Sequence, residues 1–177
     1  MMRAERAVKE LLLALGEDVD REGLKETPRR MAAMLTEMCH REPFKFTSFK
    51  NEGINEMIVQ TPIEFHSLCE HHLAPFTGVA SVCYIPDGRI VGLSKLARTV
   101  AYCAKGLQNQ ERICTAIADM LEENLHPQGV GVILRAQHSC MALRGVKSNP
   151  WTTTSCMRGV LLTKPEARAE FLALVRS

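Results

Sequence analysis

Phe76-Thr-Gly-Val-Ala-Ser-Val-Cys-Tyr-Ile85, followed by Pro86-Asp87-Gly88 and Arg89-Ile-Val-Gly-Leu93, reads as a strand, a tight turn and a returning strand. β-Branched and aromatic residues fill the runs, and Pro-Asp-Gly supplies the turn between them. Cys83 falls inside this unit and reads as a core residue. On the C-terminal side, Ser94 is placed to cap a helix over about 95–105 that Gly106 ends. Asn109 is placed to cap a second helix reaching about residue 125, with Ile113, Ile117, Leu121 and Leu125 on one face and Pro127 and Gly129 closing it. Residues 130–144 and 151–162 read as a second pair of strands, and 165–175 as a last helix.

On the N-terminal side, residues 57–65 alternate like a strand, with Pro62 demoting it to an edge or a bulge. Residues 42–55 read as loop. Thr27 and Pro28 read as the N-cap and first residue of a helix whose apolar face holds Met31, Met34, Leu35 and Met38, and 4–15 as an earlier helix stopped by Gly16. The order predicts an α+β fold in a single domain over 1–177. Helices dominate about 1–55, and two antiparallel β-hairpins surround two helices over about 56–177.

The composition limits the function classes. Hydrophobic residues make up 46% of the 177, enough for a sizeable core and too many for a disordered chain. A net charge of +2 gives no reason to expect a nucleic acid or an anionic membrane as partner. No apolar run approaches the roughly 20 residues that span a bilayer. Seven cysteines, an odd number, with no apolar leader in Met-Met-Arg-Ala-Glu-Arg, point to free thiols in a reducing, cytoplasmic setting.

The densest group of metal-capable side chains is Cys69-Glu70-His71-His72. On a helical turn Cys69 and His72, three apart, share a face, and a thiolate and an imidazole are ligands that zinc prefers. His71 is offset from that face and free for other work beside the metal. The best third ligand is Cys140, at the end of Val130-Gly-Val-Ile-Leu-Arg-Ala-Gln-His-Ser-Cys140, read as a strand. Strand parity then puts His138 beside Cys140 without making it a ligand, and carries on to Arg144. Two Cys and one His leave a tetrahedral site one open position, the catalytic pattern. From spacing alone a plainer reading stays open, with Cys69 and Cys140 as buried thiols and the histidines as polar surface.

Five blocks settle the direction. Ser67-Leu-Cys-Glu-His-His-Leu-Ala-Pro-Phe76, Gly92-Leu-Ser-Lys-Leu-Ala-Arg98, Gln108-Asn-Gln-Glu-Arg112, His138-Ser-Cys-Met-Ala-Leu-Arg-Gly145 and Thr152-Thr-Thr-Ser155 resemble, in order and approximate spacing, the motifs of the GTP cyclohydrolase I family. The resemblance runs from about Glu22 to the C-terminus. It implies the tunnelling fold (T-fold), in which subunit sheets close into an oligomeric barrel, and a homodecamer of two stacked pentamers. It implies Zn2+ on Cys69, His72 and Cys140, and GTP as the substrate. His138 is implied as the proton donor to guanine N7, with His71 and Ser94 as candidates for later proton transfers.

The same resemblance matches Lys95, Arg98 and Arg144 to triphosphate contacts, and Arg30 to an arginine that reaches a neighbouring subunit's site. Cations suit a triphosphate. Glu111, with Gln110 beside it, matches the reader of the guanine edge, where a carboxylate accepts from adjacent N–H donors. The implied activity is zinc-dependent hydrolysis at guanine C8 with release of formate and rearrangement to 7,8-dihydroneopterin 3'-triphosphate, an entry to tetrahydrofolate or another pterin. The alternatives are a non-catalytic, zinc-stabilised T-fold oligomer, which would show a fourth protein ligand, and another T-fold purine or pterin enzyme. Of the latter, a nitrile reductase with a Cys nucleophile lacks Cys-Glu-His-His.

Overall fold

A computed structural model of the chain describes residues 2–176. The chain divides into two compact units, the first ending at His40 and the second beginning at Arg41. The first is a helix pair, α1 (Met2–Ala14) and α2 (Thr27–Cys39). Gly16, at φ +80°, makes the turn out of α1 that a residue with a Cβ resists. Thr27 is the first residue of α2 and not its cap. Glu26 holds the N-cap position without a side-chain cap bond, and the Thr27 hydroxyl donates back to the Gly23 carbonyl.

The second unit holds β1 (Ser48–Lys50), β2 (Ile58–Cys69), β3 (Pro75–Ile85), β4 (Arg89–Val91), α3 (Leu93–Ala104), β5 (Leu107–Gln108), α4 (Gln110–Leu125), β6 (Gly129–His138), α5 (Ser139–Ala142), β7 (Thr152–Gly159), α6 (Val160–Thr163) and α7 (Pro165–Arg176). Five strands form one sheet in the order β5-β2-β3-β6-β7, antiparallel except for the short parallel pair β5 and β2. The architecture is α+β. Two antiparallel hairpins, β2–β3 and β6–β7, do flank the two helices α3 and α4.

The first hairpin is not the expected one. β4 does not return along β3; it pairs with β1, which lies in the segment read as loop. The partner of β3 is β2, because the turn that joins them is the Cys-Glu-His-His stretch itself. The Tyr84 hydroxyl accepts from Val91 N at 3.0 Å, so β4 is held to the end of β3 by a side chain instead of a ladder.

Burial follows strand parity. Ala80, Val82 and Tyr84 of β3, and Val130, Val132, Leu134 and Ala136 of β6, join Leu96, Val100, Ile113, Ile117 and Leu121 of α3 and α4 in the main core. The opposite face carries Cys83, packed with Leu161 and Phe171 of α6 and α7. In β2 the parity changes, because a one-residue register shift falls between Gln60 and Ile63, around Pro62. Ile58 faces the main core before it, and Ile63, Phe65 and Cys69 after it. One extra residue is what flips a strand's faces, and here it turns Cys69 inward.

Two glycines are required by close approach. A Cβ on Gly78 would lie 2.6 Å from the Ala136 Cβ, and one on Gly131 would lie 2.8 Å from the Phe171 ring. Phe171 is fully buried, which is worth roughly 1.5–3 kcal/mol. α4 is built as its sequence suggests: Asn109 Oδ1 accepts from Arg112 N at 2.8 Å, the four residues of the apolar face are buried, and His126 ends the helix in the left-handed conformation. Ser94, by contrast, does not cap α3. Gly92 holds that position, and Ser94 is exposed in the first turn. Among the described residues no helix is long and apolar enough to cross a membrane.

Candidate metal centre and active site

β2 ends on Cys69, whose carbonyl accepts from His72 N at 3.3 Å and Leu73 N at 2.9 Å. These bonds close a single helical turn. Leu73 then takes φ 54°, and Cys69 N donates to the Ala74 carbonyl at 2.8 Å, which sends the chain into β3. Cys69 is buried, while His71 and His72 are exposed.

The third candidate ligand arrives differently from the expectation. β6 stops at His138, and Ser139–Ala142 coil into one helical turn. Cys140 and Arg144 therefore do not share a strand face with His138. The Ser139 hydroxyl donates to the Pro75 carbonyl, which fixes the turn against the start of β3. Cys140 Sγ is thereby brought to 3.9 Å from Cys69 Sγ. The Nδ1 atoms of His71 and His72 each lie 3.7 Å from Cys69 Sγ. Cys69, His72 and Cys140 nonetheless form the converging group, with donor atoms all within 4.8 Å of one another. This group could hold a metal ion. Burial, then the Cys69 sulfur, pushes the Cys140 thiol up, as two adjacent thiols resist ionisation until a cation is present.

His138 stacks on Phe76, its cross-strand partner, with centroids 4.5 Å apart and planes 12° from parallel. Burial lowers its pKa, and the Glu111 charge works against that shift. Its Nε2 lies 2.9 Å from Gln110 Oε1. Gln110 was expected to contact a base, but its side chain points into the protein: 2% exposed, it donates to the carbonyls of Leu134 at 3.0 Å and Thr152 at 3.1 Å.

Glu70 is also occupied. Its carboxylate receives Arg112 at 2.7 and 3.2 Å and Asn109 Nδ2 at 3.0 Å, and the bonds from Arg112 and Asn109 hold its pKa down. With Glu70 N donating to the Gln108 carbonyl at 3.0 Å, the turn after Cys69 is tied to the start of α4. Sequence reasoning passed over Arg112. The signal was a cation in the first turn of a helix, where it opposes the dipole unless an anion waits beside it.

The remaining predicted residues are spread over several elements. Glu111 is exposed in the first turn of α4. Lys95 is half-buried and Arg98 exposed on α3, and among the described residues neither side chain makes a hydrogen bond or ion pair. Arg144 Nη1 lies 2.8 Å from His72 Nε2. Arg30 is exposed on α2 in the first unit. A cavity of about 360 Å³ bounded by Ile133, Ser155, Met157, Leu162 and Arg168 contains none of these residues.

The profile of a family described as GTP cyclohydrolase I matches residues 4–176. The chain belongs to the GTP cyclohydrolase I family. It is 49% identical to GTP cyclohydrolase 1 of Aquifex aeolicus over 176 residues, 98% of this chain and 96% of that one. It is 46% identical to GTP cyclohydrolase 1 of Acetivibrio thermocellus over 179 aligned positions, 98% of this chain and 96% of that one. Among solved structures it is similar to an apo archaeosine synthase QueF-Like, at 14% identity and a TM-score of 0.42, covering 56% of this chain and 91% of that one. In this GTP cyclohydrolase I family member, Cys69, His72 and Cys140 are the converging group that could hold a metal ion.

Proposed function

We propose that this chain hydrolyses GTP at guanine C8, releases formate and forms 7,8-dihydroneopterin 3'-triphosphate, with zinc held by Cys69, His72 and Cys140. The observation that carries the reading is the spacing of those three donors. Tetrahedral zinc with ordinary bond lengths separates two sulfurs by about 3.8 Å and a sulfur and a nitrogen by about 3.6 Å. The sulfurs here are 3.9 Å apart, and His72 Nδ1 is 3.7 Å from Cys69 Sγ. Three protein ligands leave one position open. When bound, zinc supplies Lewis acidity that brings the pKa of water to about 7.

The chain's own residues do the rest. His138 donates a proton to guanine N7 as the imidazole ring of the base is attacked, so that charge does not build up on the purine. Glu111 accepts from the N–H donors of the guanine edge. Lys95 and Arg98 hold the triphosphate, a task that fits side chains without a hydrogen bond or ion pair among the described residues. Arg144 reaches the same phosphates after leaving His72. His71 and Ser94 serve the proton transfers that open and reclose the sugar.

Support for assembly comes from the sheet. β5 covers only Leu68 and Cys69 of β2, and β7 has a ladder partner on one side only among the described residues. Uncovered edges of this kind call for strand pairing. We assign the chain the T-fold, with edges closing into a barrel of ten subunits in two pentamers, and Arg30 completing a neighbour's site. We place the enzyme in the cytoplasm, where the thiols stay reduced.

The decisive experiment incubates purified protein with GTP, with and without a chelator, then oxidises the product and measures fluorescent neopterin and formate. The two products in equal amount, abolished by the chelator and restored by zinc, are expected. Zinc bound with no turnover of GTP would leave a non-catalytic zinc protein.

A further inference from the structure

Gln110 has a side chain whose orientation is dictated by its neighbours. Two backbone carbonyls, Leu134 O at 3.0 Å and Thr152 O at 3.1 Å, face one end of the amide. A carbonyl only accepts, so that end must be the NH2, and both of its protons are used. The other end, Oε1, is then fixed toward His138 Nε2 at 2.9 Å. An amide oxygen only accepts, so Nε2 must carry a proton. The residue is 2% exposed, and turning the amide round would set its oxygen against the two carbonyl oxygens of Leu134 and Thr152. Each of those buried mismatches is costly. On the far side of the ring, Nδ1 makes no hydrogen bond among the described residues, and Phe76 stacks on the ring at 4.5 Å, which resists its rotation.

We infer that Gln110 is a positioning residue that holds the neutral His138 ring in the Nε2–H tautomer and in one orientation, which leaves Nδ1 as the ring nitrogen available to a bound molecule. The same geometry means that the Gln110 side chain is not a base-reading contact. Its amide protons are spent on β6 and the start of β7, and it links the first turn of α4 to those two strands.

The first test needs no variant. In metal-loaded protein with 15N-labelled histidine, one- and two-bond 15N–1H correlations distinguish a protonated from a bare ring nitrogen, and His138 is assigned by its loss in His138→Ala. A protonated Nε2 in the neutral ring is expected; a neutral ring protonated at Nδ1 overturns the inference whatever the activity. The second test is Gln110→Met, which keeps the side-chain length and removes the acceptor. With the activity proposed above, kcat is expected to fall about 10–100-fold, the size typical of losing a group that orients another. KM for GTP and metal content should hold, and the neutral His138 spectrum should become a mixture of tautomers. A raised KM with kcat and the tautomer unchanged would make Gln110 a substrate contact and sink the proposal. Because the spectrum is read without GTP, it stands or falls apart from the proposed reaction.

Discussion

Arg112 grips Glu70 with both terminal guanidinium nitrogens, Nη1 at 2.7 Å from Oε2 and Nη2 at 3.2 Å from Oε1. The bidentate pair joins the turn carrying Cys69 and His72 to the helix carrying Gln110 and Glu111. Asn109 doubles it, capping α4 through Oδ1 and donating to Glu70 through Nδ2.

A pair this close to solvent adds little to global stability, so its effect is expected in the metal site. Glu70→Ala should leave the unfolding transition nearly in place while weakening metal affinity roughly 10–100-fold, as loss of ligand support typically does. Competition against a chromophoric chelator measures it. Arg112→Ala should behave alike, and the double variant should cost no more than either single one. Fully additive losses would mean that the two side chains act separately.

Removing a ligand differs in kind from removing its support. Cys69→Ser, His72→Ala and Cys140→Ser should each lose bound zinc and turnover together, from about one zinc per subunit. Elemental analysis and formate release on one sample decide it. A variant that keeps both would drop out of the donor set, with His71, equally near Cys69 Sγ, the first replacement to try.

The buried thiols give a pH prediction. Burial pushes Cys83, Cys103 and Cys114 up to about 12 from an ordinary 9.0. Folding thus favours the protonated thiol. Above pH 9 the unfolded chain has released protons that the folded chain keeps, so stability should fall as pH rises from 9 toward 12. Exposed Cys39 should be alkylated in native protein at pH 8 while these three are protected. Mass spectrometry after brief labelling reads this, and early labelling of Cys103 or Cys114 would contradict the packing of α3 and α4.

Much of this was legible beforehand because its signals are local. The cap at Asn109 and the spacing of Ile113, Ile117, Leu121 and Leu125 specify α4 without reference to anything distant. The errors sit where a distant partner decides. Arg89-Ile-Val looks like the return strand of a hairpin, and only the pairing with Ser48–Lys50 shows otherwise. Strand parity was carried past His138 to Cys140 and Arg144, but the Ser139 bond to Pro75 converts the chain to a helical turn. Cys69, His72 and Cys140 converge all the same; it was their residue types, not their parity, that suggested grouping them. Gln110 sits next to Glu111 in sequence, yet its side chain is buried and that of Glu111 exposed, a difference of one helical step that a motif cannot show.

Guanine choice rests on Glu111 in the proposed reaction. Glu111→Gln keeps the shape and replaces one acceptor oxygen with a donor that faces guanine N–H groups. The lost charge-assisted bond and the donor clash should cost roughly 2–4 kcal/mol in discrimination. The ratio of kcat/KM for GTP over ATP checks it; an unchanged ratio would give guanine reading to other groups.

His138 separates proton transfer from metal binding. It is the last residue of β6, stacked on Phe76 and hydrogen-bonded to Gln110, and it stands outside the group of Cys69, His72 and Cys140. His138→Ala should therefore keep its zinc, because the Cys140 turn is held by Ser139 and Pro75 and not by the imidazole. The purine would lose its proton donor, and removal of a general acid costs on the order of 10²–10⁴-fold in rate. His138→Gln should not recover the activity, since an amide donates hydrogen bonds but gives up no proton. Metal content and formate release on the same sample distinguish the cases. Zinc lost in step with turnover would make His138 a fourth ligand and close the open position on which the proposed hydrolysis depends. Zinc kept with turnover undiminished would move the proton donor to His71.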